Sequence, residues 1–298
     1  MDLDALLLEL YVIVDDWVST QPDLAPRSGR RGRPPHLSLS EVLTLAIVQQ
    51  WPRWRSERDF CRFADRQLRP WFPRLLSQSQ LNRRIRALAA VLARLQRALA
   101  IHLTRTDVVF RLIDTTLIPA KDRVRAPRRG WLDGEASFGR CASKTAWVYG
   151  FKLGIIADPA GVITSFGLAS ANAGERAVGD ALLATDGFAA YLADKGFQGQ
   201  QWERHWWQDY GARVAVTPKD GDRRTLSPDL QRWSAKHRQR IEGVFAQLKD
   251  QFALAQHRSK QLDGLLARIA SKITAYTCAQ LINQRLGRPL CHMADLLT

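Results

Sequence analysis

Apolar residues recur at helical spacing through the first hundred positions. Stripes with a period near 3.6 run over residues 3–18, 38–50, 57–68 and 79–103. Ser38 and Glu41 form a capping-box signature at the start of the second stripe. Between the first two stripes lies PDLAPRSGRRGRPPHLS at 22–38, whose prolines and glycines predict an extended connector over residues 20–37. The pattern changes after residue 105. Short apolar runs predict strands at 107–114 and 147–158. The turn DPAG at 158–161 then leads into a strand over 161–169, which makes a hairpin. A helix over 174–185, a strand at 189–194, a helix at 198–209 and a strand at 213–218 follow. Helices over 235–252 and 262–286 close the chain, the last of them amphipathic. The order β-β-β-α-β-α-β-α predicts an α/β fold with a mixed five-stranded sheet and flanking helices. The expected organisation is an all-α region over 1–105, then an α/β domain over 106–298 that keeps the C-terminal helix.

Within AKHRQRIEGVFAQLKDQF at 235–252, Ile241, Val244, Phe245, Leu248 and Phe252 make one apolar stripe. Glu242 borders it, with Arg238 four residues before and Lys249 seven after on the same face. That pattern fits a salt-bridged helix surface, or an acid inside a phosphate-binding site. Two further acids are expected at the carboxyl ends of strands, Asp114 after VVFRLI and Asp194 after AAYLA. Ligands collect beyond such ends in sheets with crossover connections, although an Asp there is also a common turn former.

Charge narrows the class of partner. The chain of 298 residues carries a net charge of +15, which calls for a polyanion, and double-stranded DNA is the leading one. The excess is concentrated: residues 27–105 hold 17 Arg, no Lys and four acids, a balance of +13. Arg30, Arg31 and Arg33 in RRGRPP at 30–35 have the composition of a minor-groove hook, and equally of a solvated linker. Arg83 and Arg84, in QSQLNRRIRAL at 78–88, stand where a recognition helix would present Gln80, Asn82 and its arginines to DNA. Solvent-facing arginines on an ordinary helix have the same look. The aromatic-basic stretches WPRWR and ERHWW could stack bases or serve the core. The start MDLDALLLELYVIVDDWV has acids at 2, 4, 9, 15 and 16 and does not read as a signal peptide. No apolar run is long enough for a membrane span. Four scattered cysteines show no metal-ligand spacing. A cytoplasmic, nucleoid-associated protein is expected, with no membrane partner.

LIDTT, YGFKLG, ADKGFQG and RIEGVFAQLK together resemble the DDE transposases of bacterial insertion sequences. The resemblance is greatest to their small group without a large insertion before the catalytic Glu. It covers residues 105–285 by motif, and the helical region more loosely through GRPPHLSLSEVL. It implies an RNase H-like catalytic domain preceded by a DNA-binding region. The implied activity is metal-dependent strand cleavage and strand transfer at terminal inverted repeats by a homodimer on DNA. Asp114, Asp194 and Glu242 become the catalytic and metal-binding triad for two Mg²⁺ (or Mn²⁺) ions, and Arg238 and Lys249 become contacts to the DNA backbone. Hard cations prefer such oxygen ligands, and the absence of a Cys/His cluster argues against zinc. The family's Tyr three residues before the Arg is missing, because position 235 is Ala. Glu175-Arg176 falls where the broader group often has an acidic-Arg pair, but its neighbourhood departs from that pattern and no role is assigned. Asp133, Glu135 and Asp180 are competing acids without strand-end placement. The rival readings are a non-catalytic DNA-binding derivative of a transposase, and an RNase H-like nuclease that cuts without joining.

The basic zone makes a thermodynamic prediction. Neutralising phosphates releases counterions, so DNA affinity of the full chain should fall by orders of magnitude between about 50 and 200 mM salt. Equal affinity at both salts, measured by fluorescence anisotropy, would remove residues 27–105 as the docking surface.

Overall fold

The computed structural model describes the chain except residues 26–34, 52, 53, 55, 123, 125, 127–131, 133, 142–145, 217–226, 294, 295, 297 and 298. Two compact units emerge. The first comprises Met1–Leu99, Asp250–Ala253 and Asp263–Thr298, and the second Ala100–Lys249 and Leu254–Leu262.

The first unit is helical. It contains α1 (Leu3–Ser19), α2 (Leu39–Val48), α3 (Glu57–Gln67), α4 (Gln78–Ala87), α5 (Ala89–Leu103, as far as Leu99) and α9 (Leu262–Arg285, from Asp263). The capping box forms as expected, with the Glu41 amide donating to Ser38 Oγ at 3.1 Å. The single helix expected over 79–103 is two, broken at Leu88, whose φ of −104° and ψ of 11° leave the helical range.

The largest departure is α9. The sequence puts it with the α/β domain as an amphipathic helix, yet it lies at the heart of the helical unit and is buried on every side from Ile269 to Asn283. Its polar residues do not make a wet face because they bond inward. The hydroxyls of Ser271, Thr274 and Thr277 donate to the carbonyls of Ala267, Ala270 and Ile273, one turn back, at 2.8, 2.7 and 3.0 Å. Thr274 Oγ1 also reaches the Leu92 carbonyl of α5 at 3.1 Å, and Gln96 donates to Thr277 Oγ1 at 3.2 Å. The buried Lys272 ammonium donates to the Phe252 carbonyl at 2.6 Å, and desolvation pulls its pKa down to about 7.

The second unit is built on one mixed sheet. Its strands are β1 (Arg111–Pro119), β2 (Ser137–Cys141), β3 (Ala146–Ala157), β4 (Ile163–Ser170), β5 (Ala190–Ala193) and β6 (Arg213–Val216). The order is β2-β3-β1-β5-β6, with β4 also on β3. There are thus six strands among the described residues where five are expected, the added one being β2. β3 is the long central piece: it is antiparallel to β1 on one side, and to β2 and then β4 on the other. The β3–β4 hairpin closes as expected. Asp158 Oδ1 accepts the amides of Ala160 and Val162, each at 2.9 Å, and Gly161 takes a φ of +92° that a side chain would strain. β1, β5 and β6 are parallel, linked through α6 (Glu175–Asp186) and α7 (Gln200–Tyr210). α6 packs tightly on the sheet because Gly154 has no side chain: a Cβ there would lie 2.6 Å from Val178 Cγ1. Ile113, Ile156, Leu182, Tyr191, Phe197 and Trp206 fill the space between. α8 (Pro228–Asp250) begins earlier than its apolar stripe and buries Ile241, Val244, Phe245 and Leu248 as expected.

A chain ending near residue 105 lacks α9, so it has neither the buried centre of the helical unit nor the partners of Leu92 and Gln96. It should melt without a cooperative transition in circular dichroism, whereas the full chain should melt cooperatively. A sharp transition in the fragment would show that α9 is dispensable to that core.

Candidate active site

The geometry of the site starts with one strand pair. β1 and β5 run parallel, and their pairing ends at Ile113↔Ala193. Asp114 and Asp194 are the next residue on each strand, which brings two carboxylates to the carboxyl end of the pair, where such sheets collect ligands. Asp114 does not end its strand, contrary to the expectation from sequence. β1 continues against β3 to Pro119, with Asp114 opposite Ile155. What ends there is the contact with β5.

Each acid is oriented by the chain that follows it. Asp114 Oδ1 accepts the Thr115 amide at 2.7 Å, and Asp194 Oδ1 accepts the Lys195 amide at 2.5 Å. Asp194 Oδ1 also pairs with Arg238 of α8 at 3.3 Å. Among the described residues, neither Oδ2 has a hydrogen-bond partner. Burial pushes the Asp114 carboxyl up to about 7. The Thr115 amide opposes that shift, the Asp194 charge adds to it, Arg238 opposes it and Glu175 adds to it.

α8 lies along this edge. Arg238 reaches Asp194, and eleven residues further on Lys249 Nζ donates to Thr116 Oγ1 at 2.7 Å. Positions 238, 242 and 249 share one helix face, so Glu242 stands between two anchored residues. It is exposed and has no hydrogen-bond or ion-pair partner among the described residues. The salt-bridged surface reading of this helix is therefore not what forms, because Arg238 is directed to Asp194 instead.

Among the described residues, no three His, Cys, Asp or Glu side chains come close enough to enclose a metal ion. The pair itself suits one: each carboxylate has one oxygen held, the Asp194 charge adds to the cost of ionising buried Asp114, and a hard divalent cation relieves that cost.

One acid that sequence reasoning left without a role belongs to this neighbourhood. Glu175, first residue of α6, accepts from Thr115 Oγ1 at 3.4 Å and contributes to the field at Asp114. The competing Asp180 is used elsewhere, accepting from His205 Nε2 at 2.8 Å and from Trp206 Nε1 at 3.1 Å. Asp133 lies outside the described residues, as do Arg30, Arg31 and Arg33.

On α4, Arg84 donates to the Leu37 carbonyl at 2.9 Å and Asn82 grips both oxygens of Glu57 at 2.9 and 3.1 Å. Gln80 accepts the Ser77 amide at 3.1 Å. Of the four side chains expected to face DNA, Asn82 and Arg84 hold the helical unit together, Gln80 caps its own helix, and Gln80 and Arg83 are exposed. Of the tryptophans in the aromatic-basic stretches, Trp51 and Trp206 are buried, and Trp207 is half exposed with the Arg213 guanidinium 4.6 Å from its ring centre.

A mixed sheet with flanking helices and acids at the end of its inner parallel pair is the RNase H-like α/β arrangement. The family described as the transposase DDE domain matches residues 106–278, more than half of the chain, and the protein belongs to that family. No curated protein and no solved structure matches the chain. The family acts on DNA and generally uses divalent metal ions. Its match runs through Cys278, so it takes in much of α9, which packs in the helical unit. No helix among the described residues is long and apolar enough to cross a membrane.

The Asp114 shift sets a pH test. With a folded pKa raised above the unfolded value, metal-free protein loses stability as pH rises from the ordinary carboxylate range through about 7. Asp114→Asn removes that loss, so in chelator its melting temperature should exceed wild type at about pH 8, with the gain shrinking toward about pH 4. A gain that is the same at both pH values would show that Asp114 is not the titrating group.

Proposed function

We propose that the protein is an insertion-sequence transposase that cleaves DNA at the element's terminal inverted repeats and joins the freed ends to target DNA. The observation that carries this reading is the Asp114–Asp194 pair at the end of β1 and β5, faced by Arg238 and Lys249 on either side of Glu242. Asp114 and Asp194 would hold the metal from the strand ends and Glu242 from the face of α8. Bound there, Mg²⁺ or Mn²⁺ supplies stabilisation of charge on the attacking and leaving oxygens of a phosphodiester.

The side chains of this chain do the rest. Arg238 fixes Asp194 and offers its remaining donors to a phosphate. Lys249 places a cation beside Thr116, next to the strand that carries Asp114. Glu242 is exposed and has no bonding partner among the described residues, so it can approach a ligand without first breaking a bond to any of them. The basic arginines of residues 27–105, with Arg30, Arg31, Arg33 and Arg83 foremost, would bind the DNA backbone. Arg84 contributes by holding the helical unit through Leu37. On this reading a homodimer engages double-stranded DNA in the cytoplasm, at the nucleoid.

The test uses a labelled duplex that carries the element's own end. Asp114→Asn, Asp194→Asn and Glu242→Gln should fold and bind that duplex yet lose Mg²⁺-dependent cleavage and joining almost completely. Asp180→Asn should retain both. Wild type should be inactive in chelator and regain activity with Mg²⁺ or Mn²⁺. Cleavage that survives in Asp194→Asn would leave the protein a binder or a nuclease of another mechanism, and cutting without joining in wild type would favour the nuclease.

A further inference from the structure

A further acid beside the strand-end pair is on α6. Glu175 opens that helix, and its two oxygens face two different segments of the site. Oε1 accepts from Thr115 Oγ1 at 3.4 Å, the residue whose amide orients Asp114. Oε2 occupies the space where a side chain at Gly196 would stand: a Cβ built there would overlap it, and would lie 2.6 Å from the carboxyl carbon. Gly196 is two residues beyond Asp194, inside the short turn Lys195–Phe197 that Asp194 caps. The backbone at 196 is thus open on the side from which Glu175 enters. A third carboxylate placed beside two others is costly in isolation, since like charges at close range oppose ionisation. A surface acid serving only the α6 dipole could point to solvent, whereas this one is half-buried and directed to the segments that carry Asp114 and Asp194.

We infer that Glu175 is an outer-sphere carboxylate of the metal site, spacing the Asp114 and Asp194 segments and accepting hydrogen bonds from water on the bound cation. The inference rests on the proposed metal-dependent function. Hydrated Mg²⁺ keeps several waters and is commonly held by only one or two carboxylates directly, which suits a site where, among the described residues, no three acids close on a point. Partners outside the first ligands typically change metal affinity by about 10 to 100-fold when removed. Glu175 acts here as a positioning residue, and Gly196 is the notch that admits it.

The experiment is Mn²⁺ binding to the full chain without DNA, followed by the loss of the free-ion signal in electron paramagnetic resonance. Glu175→Gln keeps shape and loses charge, so it should weaken binding about tenfold or more, with a melting temperature in chelator no lower than wild type. Gly196→Ala should weaken it comparably by displacing the carboxylate. In a Glu175→Ala background the notch is empty, so adding Gly196→Ala should cost nothing further, a non-additivity that a general disturbance of the turn would not produce. Wild-type Mn²⁺ affinity in Glu175→Gln, with binding lost in Asp114→Asn, would overturn the role of Glu175 and leave the metal site standing. Wild-type affinity in Asp114→Asn would overturn both, because no cation would then sit at the pair. Equal Gly196→Ala penalties in both backgrounds would likewise remove the notch argument.

Discussion

The parallel pairing of β1 with β5 is the constraint on which the site depends. Three residue pairs, ending at Ile113↔Ala193, hold two acids at the same level of the sheet. Left to themselves, two carboxylates separate, and one of them takes up a proton instead of sharing the space. The ladder and the core beneath it prevent separation. Ile113, Tyr191 and Ala193 are buried among Phe197 and Trp206, so moving either strand would open packed apolar contacts. Burial and the neighbouring Asp194 charge together raise the cost of ionising Asp114, and the scaffold is stable enough to impose that strain. Such strain is a resource, because whatever neutralises the pair is bound in proportion to the repulsion it relieves.

α8 adds orientation to that strain. It is anchored at both ends of the relevant face, by Arg238 to Asp194 and by Lys249 to Thr116, and its buried side of Ile241, Val244 and Leu248 fixes its rotation. Glu242 consequently has a defined place on that face, although it has no bonding partner among the described residues. The same helix explains why an acid in a basic neighbourhood is not neutralised by its neighbours: both cations have other partners.

Much of this was legible in the chain. The hairpin at 158–161, the helices over 175–186 and 200–210, and the apolar stripe of α8 follow from periodicity and turn chemistry. The acids could be singled out because each follows an apolar run. The losses have physical causes. β1 was placed too early because Val108, Val109 and Phe110 are as β-prone as the strand itself, although the strand begins at Arg111. β2 is five residues with a glycine in the middle, too short for alternation to register. The break at Leu88 has neither Gly nor Pro to announce it. α9 was misread because its serine and threonines count as polar in a pattern while their hydroxyls bond back to their own helix. Glu175 was passed over because an acid in a first helical turn needs no explanation beyond the dipole, and nothing in its sequence neighbourhood reports Gly196 on the facing segment.

The location of α9 also governs the order in which this molecule can be completed on the ribosome. Domains generally fold as they emerge, the N-terminal ones first, at synthesis rates of about 5–20 residues per second. Here the first helices come out early, but their central partner is made only after the whole sheet. The α/β unit can assemble while the helical unit is still waiting for its centre, with the α5 positions that meet α9, Leu92 and Gln96, without that partner in the interval. A prematurely terminated chain would carry a formed sheet without a finished helical unit. Synthesis of the whole sheet is in this way built into the folding of the most basic part of the protein.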